Sequence, residues 1–450
     1  MRLNGPPPGP PASRAFAILT ELLREEVPHP VESPANRVVR DRVIEHFRLL
    51  GYSPVIQRAY SCGKRHRCAT VENIVVLPSA TGDIVLGVAH YDSVAAGPGA
   101  SDDGTGVATI LECARVLRNE RFTNPIGFLI TDGEEVALLG AEAFVRDPVS
   151  ARVRAIVNVE SRGTSGPSFL FETSKDNRDL VPLFNKLSRP ITTSLFYTVY
   201  TLLPNDTDVT VFKRAGKICV NFAAIGGVEN YHKRSDDLAH VDKRTLQHHV
   251  DNALSMLRAL ASADLHRMRR GNDVYFDVLG FFVVWWPEQW TIWIALASLV
   301  VLIVSMRGVS PREIAISALL FIAAIAGAAL IGIIAMKLMP RRLAHPVPAI
   351  AAMWIVGIGC TLLLSRKRSW QGRALVWHII AIVLAVTLPG LSFLFLVPAI
   401  AMLPARPMIA APVASILFFP LALLLYTALA ALALPVVAVL MSIFASTLMK

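Results

Sequence analysis

Charge thins out along this chain of 450 residues. Lys, Arg, Asp and Glu are common as far as about Arg270 and sparse beyond Gln289, while 53% of all residues are hydrophobic. That shortage excludes an ordinary soluble domain for the last third, because buried helical cores need amphipathic helices with charged outer faces. The N-terminal stretch "MRLNGPPPGPPASRAF" lacks the apolar core of a signal peptide. No basic patch interleaved with stacking aromatics is present, so the net charge of +10 does not point to nucleic acid. Cysteine is scarce too, at five residues. Cys360 falls in an apolar run, and Cys113 and Cys219 sit in the apolar contexts of plain core residues. Cys62 and Cys68 bracket the polar "GKRHR". They read as a short disulfide hairpin, as half of a zinc site with His66, or as two free thiols. No second Cys/His pair follows, and the disulfide, which implies an oxidising compartment, is the favoured reading.

What fills the last third is apolar sequence. Gln289–Met306, Ile314–Met336 and Val347–Leu364 run for 18, 23 and 18 residues without a formal charge. Each is long enough to cross a hydrocarbon core about 30 Å thick. Ala374–Pro404 holds one span and a second piece interrupted at Pro389 and Pro398. Met408–Lys450 has room for two more, hinged near Pro435. About six spans are expected in a lipid bilayer. Basic residues flank the spans on both sides, so the positive-inside rule leaves orientation open. With the disulfide, the head is expected on the exoplasmic side, periplasmic or lumenal, which leaves room for an anchor upstream of Met1. The end of the chain, directly after an apolar run, leaves room for a further domain. The expected division is a Pro-rich segment and helix start at 1–28, a catalytic domain at 29–265, a juxtamembrane linker at 266–288 and a transmembrane domain at 289–450. Nothing in the sequence fixes the oligomeric state.

The first part alternates strand and helix. "ENIVVLP", "DIVLGVAHYD", "PIGFLITDGEE", "VRAIVNVES" and "KICVNFAAI" read as strands, most of them nearly continuous apolar runs. "RAFAILTELL", "NRVVRDRVIEHFRLLGY", "GTGVATILECARVLRNE", "LLGAEAFVRDP" and "KRTLQHHVDNALSMLRALASA" carry helical spacing, with Gly51 and Pro148 as stops. Apolar strands joined by helical crossovers predict an α/β fold, a mostly parallel mixed sheet with helices on both faces. In such sheets ligands gather beyond the carboxyl ends of the strands.

That edge is where the chemistry collects. His90 and Asp92 end one strand, and Asp102 and Asp103 end the Gly-rich loop "VAAGPGASDDGTG" that follows. Asp132, Glu134 and Glu135 end the next strand, Glu160 another, and His232 lies in the loop after "NFAAIGG". Alone, each carboxylate would read as a helix cap or a surface group. Together they would repel one another, and a divalent metal relieves that repulsion. Mixed imidazole and carboxylate ligands suit zinc, and two ions can share one carboxylate. Gly97, Gly99, Gly104 and Gly106 are expected to let the backbone pass close to the metals.

The motifs "HYDS", "GASDDGTG", "DGEEVALLGAEAF", "NVES" and "ENYHKRSDDLAHVD" resemble the co-catalytic zinc aminopeptidases of metallopeptidase family twenty-eight. The resemblance covers roughly 30–265, and the whole chain is similar to that family's membrane-anchored branch, in which a peptidase head precedes a multi-span tail. It implies two zinc ions: His90 and Glu160 on the first, Glu135 and His232 on the second, and Asp102 bridging both. It implies Glu134 as general base, Asp92 as the residue that orients His90, and Tyr231 as support for the oxyanion. It also implies a cis peptide between Asp102 and Asp103. Soluble members often carry Asp where this chain has Glu160. The expected reaction is hydrolysis of N-terminal peptide bonds in a peptide substrate, because a free amino terminus can bind one ion. Arg162, after Glu160, is either a group for a substrate carboxylate or a surface arginine. Two alternatives remain: a glutaminyl-cyclase-like acyl transferase with one working zinc, and a non-catalytic, receptor-like head. The spans lack an obvious intramembrane acid or base apart from His378, which leaves transport unsupported.

Overall fold

A computed structural model of the chain describes residues 9–80, 82–202, 205–338, 355 and 370–405. It separates into two compact units, one formed by residues 1–272 and 276–285, the other by residues 273–275 and 286–450.

The first unit is built on a seven-stranded sheet: β1 (Val55–Cys62), β2 (Cys68–Val76), β3 (Ile84–His90), β4 (Ile126–Thr131), β5 (Val153–Ser161), β6 (Phe169–Thr173) and β7 (Ile218–Ala224). Their order across the sheet is β1-β2-β4-β3-β5-β7-β6. The four central strands, β4, β3, β5 and β7, run parallel. β1, β2 and β6 join antiparallel at the two margins. Burial explains the division. All seven residues of β3 are buried, as a strand covered on both faces requires, whereas the marginal β1 exposes most of its length. Helices α3 (Gly106–Leu117) and α8 (Lys243–Ala261) pack over β3 and β5, and α1 (Pro10–Leu22) packs on both of these helices. Helices α5 (Leu139–Arg146) and α7 (Asp208–Arg214) pack together, against β1, β2, β5 and β7. Leu86, Val88, Leu129, Phe144, Ile156 and Phe212 interlock in one core cluster. The expected mixed sheet with helical layers is therefore present. So is the disulfide: Cys62 and Cys68 face each other in register across β1 and β2 and are bonded. Cys113 and Cys219 are buried free thiols, as expected of core residues.

Three regions depart from the sequence expectations. β1 and β6 lie at the margins; β1 is largely exposed and loses the continuous apolar signature, while β6 is buried but only five residues long and ends in Glu172 and Thr173. The helices α6 (Ser194–Leu202) and α7 lie in a stretch without a clear helical period. α7 is nucleated by reciprocal capping between Thr207 and Thr210. Within the expected linker, β8 (Asp273–Val278) and β9 (Phe282–Pro287) pair as a hairpin. Its turn places Leu279 and Gly280 at φ 54° and 73°, the two positive values that a tight hairpin turn with the right twist demands.

In the second unit, three helices are long and apolar enough to cross a membrane among the described residues: Glu288–Ser305, Pro311–Ile331 and Trp370–Thr387. A shorter apolar helix, Pro389–Ala405, follows the last of them. The chain leaves helical geometry at Leu388, where the residue before Pro389 is biased away from the α region. Pro398 does not break its helix. Trp293, Val300 and Ile303 turn outward with 69%, 59% and 55% of their surface exposed, an apolar exterior that suits lipid. The spans expected at Val347–Leu364 and within Met408–Lys450 lie outside the described residues, apart from Ile355.

Candidate metal centre

Parallel strands carry their C-terminal ends to one edge, and four of them do so here. β3 stops at His90 and β5 ends with Glu160 and Ser161. β4 stops at Thr131, and Asp132 and Gly133 then lead into the one-turn helix α4 (Glu134–Ala137). β7 stops at Ala224, and the loop beyond it holds Tyr231 and His232. Asp102 and Asp103 enter from the loop after β3 and are joined by a cis peptide.

Asp102 occupies the middle. Its Oδ1 lies 3.5 Å from His90 Nε2, and its Oδ2 lies 3.1 Å from His232 Nε2. His90 Nε2 is also 3.7 Å from Glu160 Oε2, and His232 Nε2 is 3.1 Å from Glu135 Oε2. Two groups result whose ligand atoms lie within 4.8 Å of one another: Asp102 with Glu135 and His232, and His90 with Asp103 and Glu160. Glu134, next to Glu135 in sequence, belongs to neither group. Asp103 does, which the sequence expectation confined to its peptide bond. One of its oxygens accepts the His90 main-chain N–H at 3.2 Å, and the other has no hydrogen-bond partner.

Neighbouring groups fix these side chains. His90 Nδ1 lies 3.0 Å from the main-chain carbonyl of Asp92, which places a proton on Nδ1 and leaves the Nε2 lone pair facing the cluster. The Asp92 carboxylate is 3.5 Å from Nδ1, while its two oxygens accept the N–H groups of Glu134 and Glu135 at 3.0 and 3.2 Å. Asp92 therefore also caps the turn that presents both glutamates. Asp236, unnoticed in the sequence, accepts the N–H groups of Ser101 and Asp102 at 2.7 and 3.1 Å, and its own carbonyl takes that of Ala100. It ties the loop of Asp102 to the loop of His232. The glycines serve this packing. A Cβ on Gly97 would lie 2.0 Å from the carbonyl oxygen of Lys233, and one on Gly106 would lie 2.3 Å from the Asp103 carboxylate. The close approach is to protein backbone and side chain. Tyr231 stacks on His232, with ring centroids 3.8 Å apart and planes 21° from parallel.

The electrostatics are those of anions crowded without enough counter-charge. Burial pushes Glu134 and Asp103 well above the usual carboxylate range, and Glu160 adds to both. Burial and then Asp102 push Glu135 up to about 7. Burial opposes charge on His90, yet the nearby carboxylates of Asp102, Asp92 and Glu160 hold its pKa well above the imidazole norm. His232 is likewise lifted to about 10, against burial, by Asp102 and Glu135. Asp102 is drawn below the usual range, despite burial, by His232 and His90. A divalent metal fits this donor set. His90 Nε2, His232 Nε2 and Glu135 Oε1 are buried and lack hydrogen-bond partners, so ligand lone pairs converge where no protein donor meets them. Imidazole nitrogen and carboxylate oxygen are donors that zinc and similar ions take.

Fold and site together describe an α/β head with a cluster of imidazoles and carboxylates, able to hold divalent metal, at the carboxyl edge of its sheet. Residues 73–257 match the model of Peptidase family M28, and the head carries a peptidase M28 domain. The chain is 32% identical over 216 residues to the human Endoplasmic reticulum metallopeptidase 1, a match that covers 46% of this chain and 24% of the relative. It is 27% identical over 317 residues to the Vacuolar membrane protease of Yarrowia lipolytica, covering 64% of this chain and 32% of the relative. The match thus spans about a quarter to a third of the length of these curated relatives. Among solved structures, the glutaminyl cyclase of Fimbriiglobus ruber aligns with 57% of this chain and 98% of its own, at 17% identity and a TM-score of 0.46.

Proposed function

We propose that this chain is a membrane-anchored, zinc-dependent exopeptidase of the aminopeptidase type, hydrolysing N-terminal peptide bonds at a two-zinc centre. In this reading His90 and Glu160 hold one ion, Glu135 and His232 the other, and Asp102 both. When bound, the ions supply Lewis acidity for the scissile carbonyl and lower the pKa of water. The side chains do the rest. Glu134, whose carboxyl is held above the usual carboxylate range by burial and the neighbouring Glu160, takes the proton of the attacking water and passes it to the leaving amine. Asp92 keeps His90 in the tautomer that presents Nε2 and holds the turn of Glu134. Tyr231, stacked on His232, steadies the oxyanion through its hydroxyl.

The observation that carries the two-metal reading is the split of Asp102, one oxygen toward His90 and the other toward His232. Two protein ligands for each ion would otherwise be too few for a tight site. The catalytic domain is read as 29–265 and the membrane domain as 289–450, with about six spans in a lipid bilayer. The Cys62–Cys68 disulfide supports an exoplasmic head.

The test is zinc content of the purified full-length chain, measured beside hydrolysis of aminoacyl anilides. Two zinc ions are expected in the wild type, and clear loss of both on dialysis of Asp102→Asn against a weak chelator. A wild type that never holds more than one ion and cyclises N-terminal glutamine favours the cyclase-like alternative. Metal without either reaction favours a receptor-like head.

A further inference from the structure

Arg162 follows the end of β5, two residues past Glu160, and its main-chain N–H donates to the carbonyl of Ala224 at the end of β7. Its backbone is thereby pinned between two strand ends at the metal edge. Its guanidinium carbon lies 5.5 Å from the ring centroid of Tyr231, which itself stacks on His232 at 3.8 Å. Arg162 is thus within about three residue lengths of a metal-centre histidine.

Arg162 is half-buried, and no carboxylate among the described residues reaches its guanidinium, although the charges of Asp102 and Glu160 act on it from the metal centre. Arg14, Arg40, Arg115 and Arg258 all meet a carboxylate within hydrogen-bond distance. The guanidinium of the half-buried Arg162 has no hydrogen-bonded or ion-paired partner among the described residues, and it lies over the face of Tyr231. Five N–H donors partly withdrawn from water and left without acceptors are costly, and the cost is relieved when an anion arrives. Tyr200 is a second polar group near the guanidinium. Its hydroxyl oxygen is buried without a hydrogen-bond partner of ordinary geometry, and it lies within electrostatic reach of Arg162.

We infer that Arg162 is a specificity residue that binds a substrate carboxylate just beyond the scissile bond; this rests on the peptidase reading above. A planar guanidinium suits a planar carboxylate, which it takes in a bidentate fork. That carboxylate has two sources. It is the C-terminus of a dipeptide, whose carbon lies about 4 Å from the scissile carbon, or it is an acidic side chain on the residue after the cleaved bond. In either case the substrate brings the hydrogen-bonded carboxylate that the guanidinium lacks within the protein.

The experiment uses the zinc-loaded full-length chain and three probes: Leu-Ala, Leu-Ala amide and Leu-Asp amide. The wild type is expected to favour one or both carboxylate-bearing probes over Leu-Ala amide by roughly 10- to 100-fold in kcat/KM, the effect of a hydrogen bond to a charged group. The preferred probe identifies the source. In Arg162→Met the ratio should fall to about one, and in Arg162→Lys it should recover in part, since an ammonium keeps the charge without the fork. A wild-type ratio near one, or a ratio that survives Arg162→Met, overturns the proposal while leaving the peptidase reading intact. Binding of the same probes to the Glu134→Gln protein, followed by calorimetry, gives a readout independent of turnover. Carboxylate preference in binding that depends on Arg162, in a wild type that hydrolyses nothing, would uphold Arg162 and overturn the peptidase reading.

Discussion

Asp92 illustrates how much one residue carries at this site. Its carbonyl sets the His90 tautomer, and its carboxylate holds the N–H groups of Glu134 and Glu135. Those adjacent glutamates then diverge: Glu135 joins the ligand group and Glu134 does not. Glu134→Gln is therefore expected to keep its metal and lose turnover by about 100- to 10,000-fold, the usual loss when a general base is removed. Turnover and zinc content measured on the same preparation check this, and near wild-type turnover would remove Glu134 from the chemistry. Imidazoles and carboxylates at strand ends are legible in sequence because their chemistry is unusual at those positions. Asp236 was not legible. It works through main-chain N–H groups 134 and 135 residues earlier, and no side-chain pattern records that pairing. The glycines were legible as close-approach positions, but the approached surface, Lys233 for Gly97, appears only when the loops are folded together.

Among elements, the apolar central strands were the plainest to read and the marginal ones the hardest. β3 and β5 are buried on both faces and announce themselves as continuous apolar runs. β1 alternates polar and exposed residues, so its pairing with β2 is a tertiary fact. The β8–β9 hairpin hid for the opposite reason, because an apolar stretch ahead of a span reads as linker unless the Leu279-Gly280 turn is recognised. The disulfide at the tip of β1 and β2 closes a loop with a sequence separation of 6. A loop that short is worth about 2 kcal/mol in chain entropy. Reduction should lower the melting temperature of the head by roughly 4–8 °C. Thermal unfolding with and without dithiothreitol measures the shift, and a Cys62→Ser, Cys68→Ser protein should not respond. An unmoved wild-type transition would mean that β-pairing alone holds the hairpin.

For the molecule as a whole, the division into a charged head and an apolar tail was legible from charge alone, since lipid and water ask for opposite surfaces. Orientation was not, because basic residues flank the spans on both sides. If the head is exoplasmic, protease added outside spheroplasts should digest it and leave the tail, and a head cut only after lysis would place it in the cytosol. The strand order carries a further consequence, in time. β7 lies between β5 and β6 although β6 is made first. The sheet therefore cannot close, nor His232 reach Asp102, until the ribosome has passed residue 232. Domains fold as units during synthesis at about 5–20 residues per second. At that pace the stretch from Asp102 to His232 takes roughly seven to twenty-six seconds, during which the cluster lacks His232. On the peptidase reading, the head would stay unable to cut while it is being made, and would be completed only as the apolar tail begins to emerge.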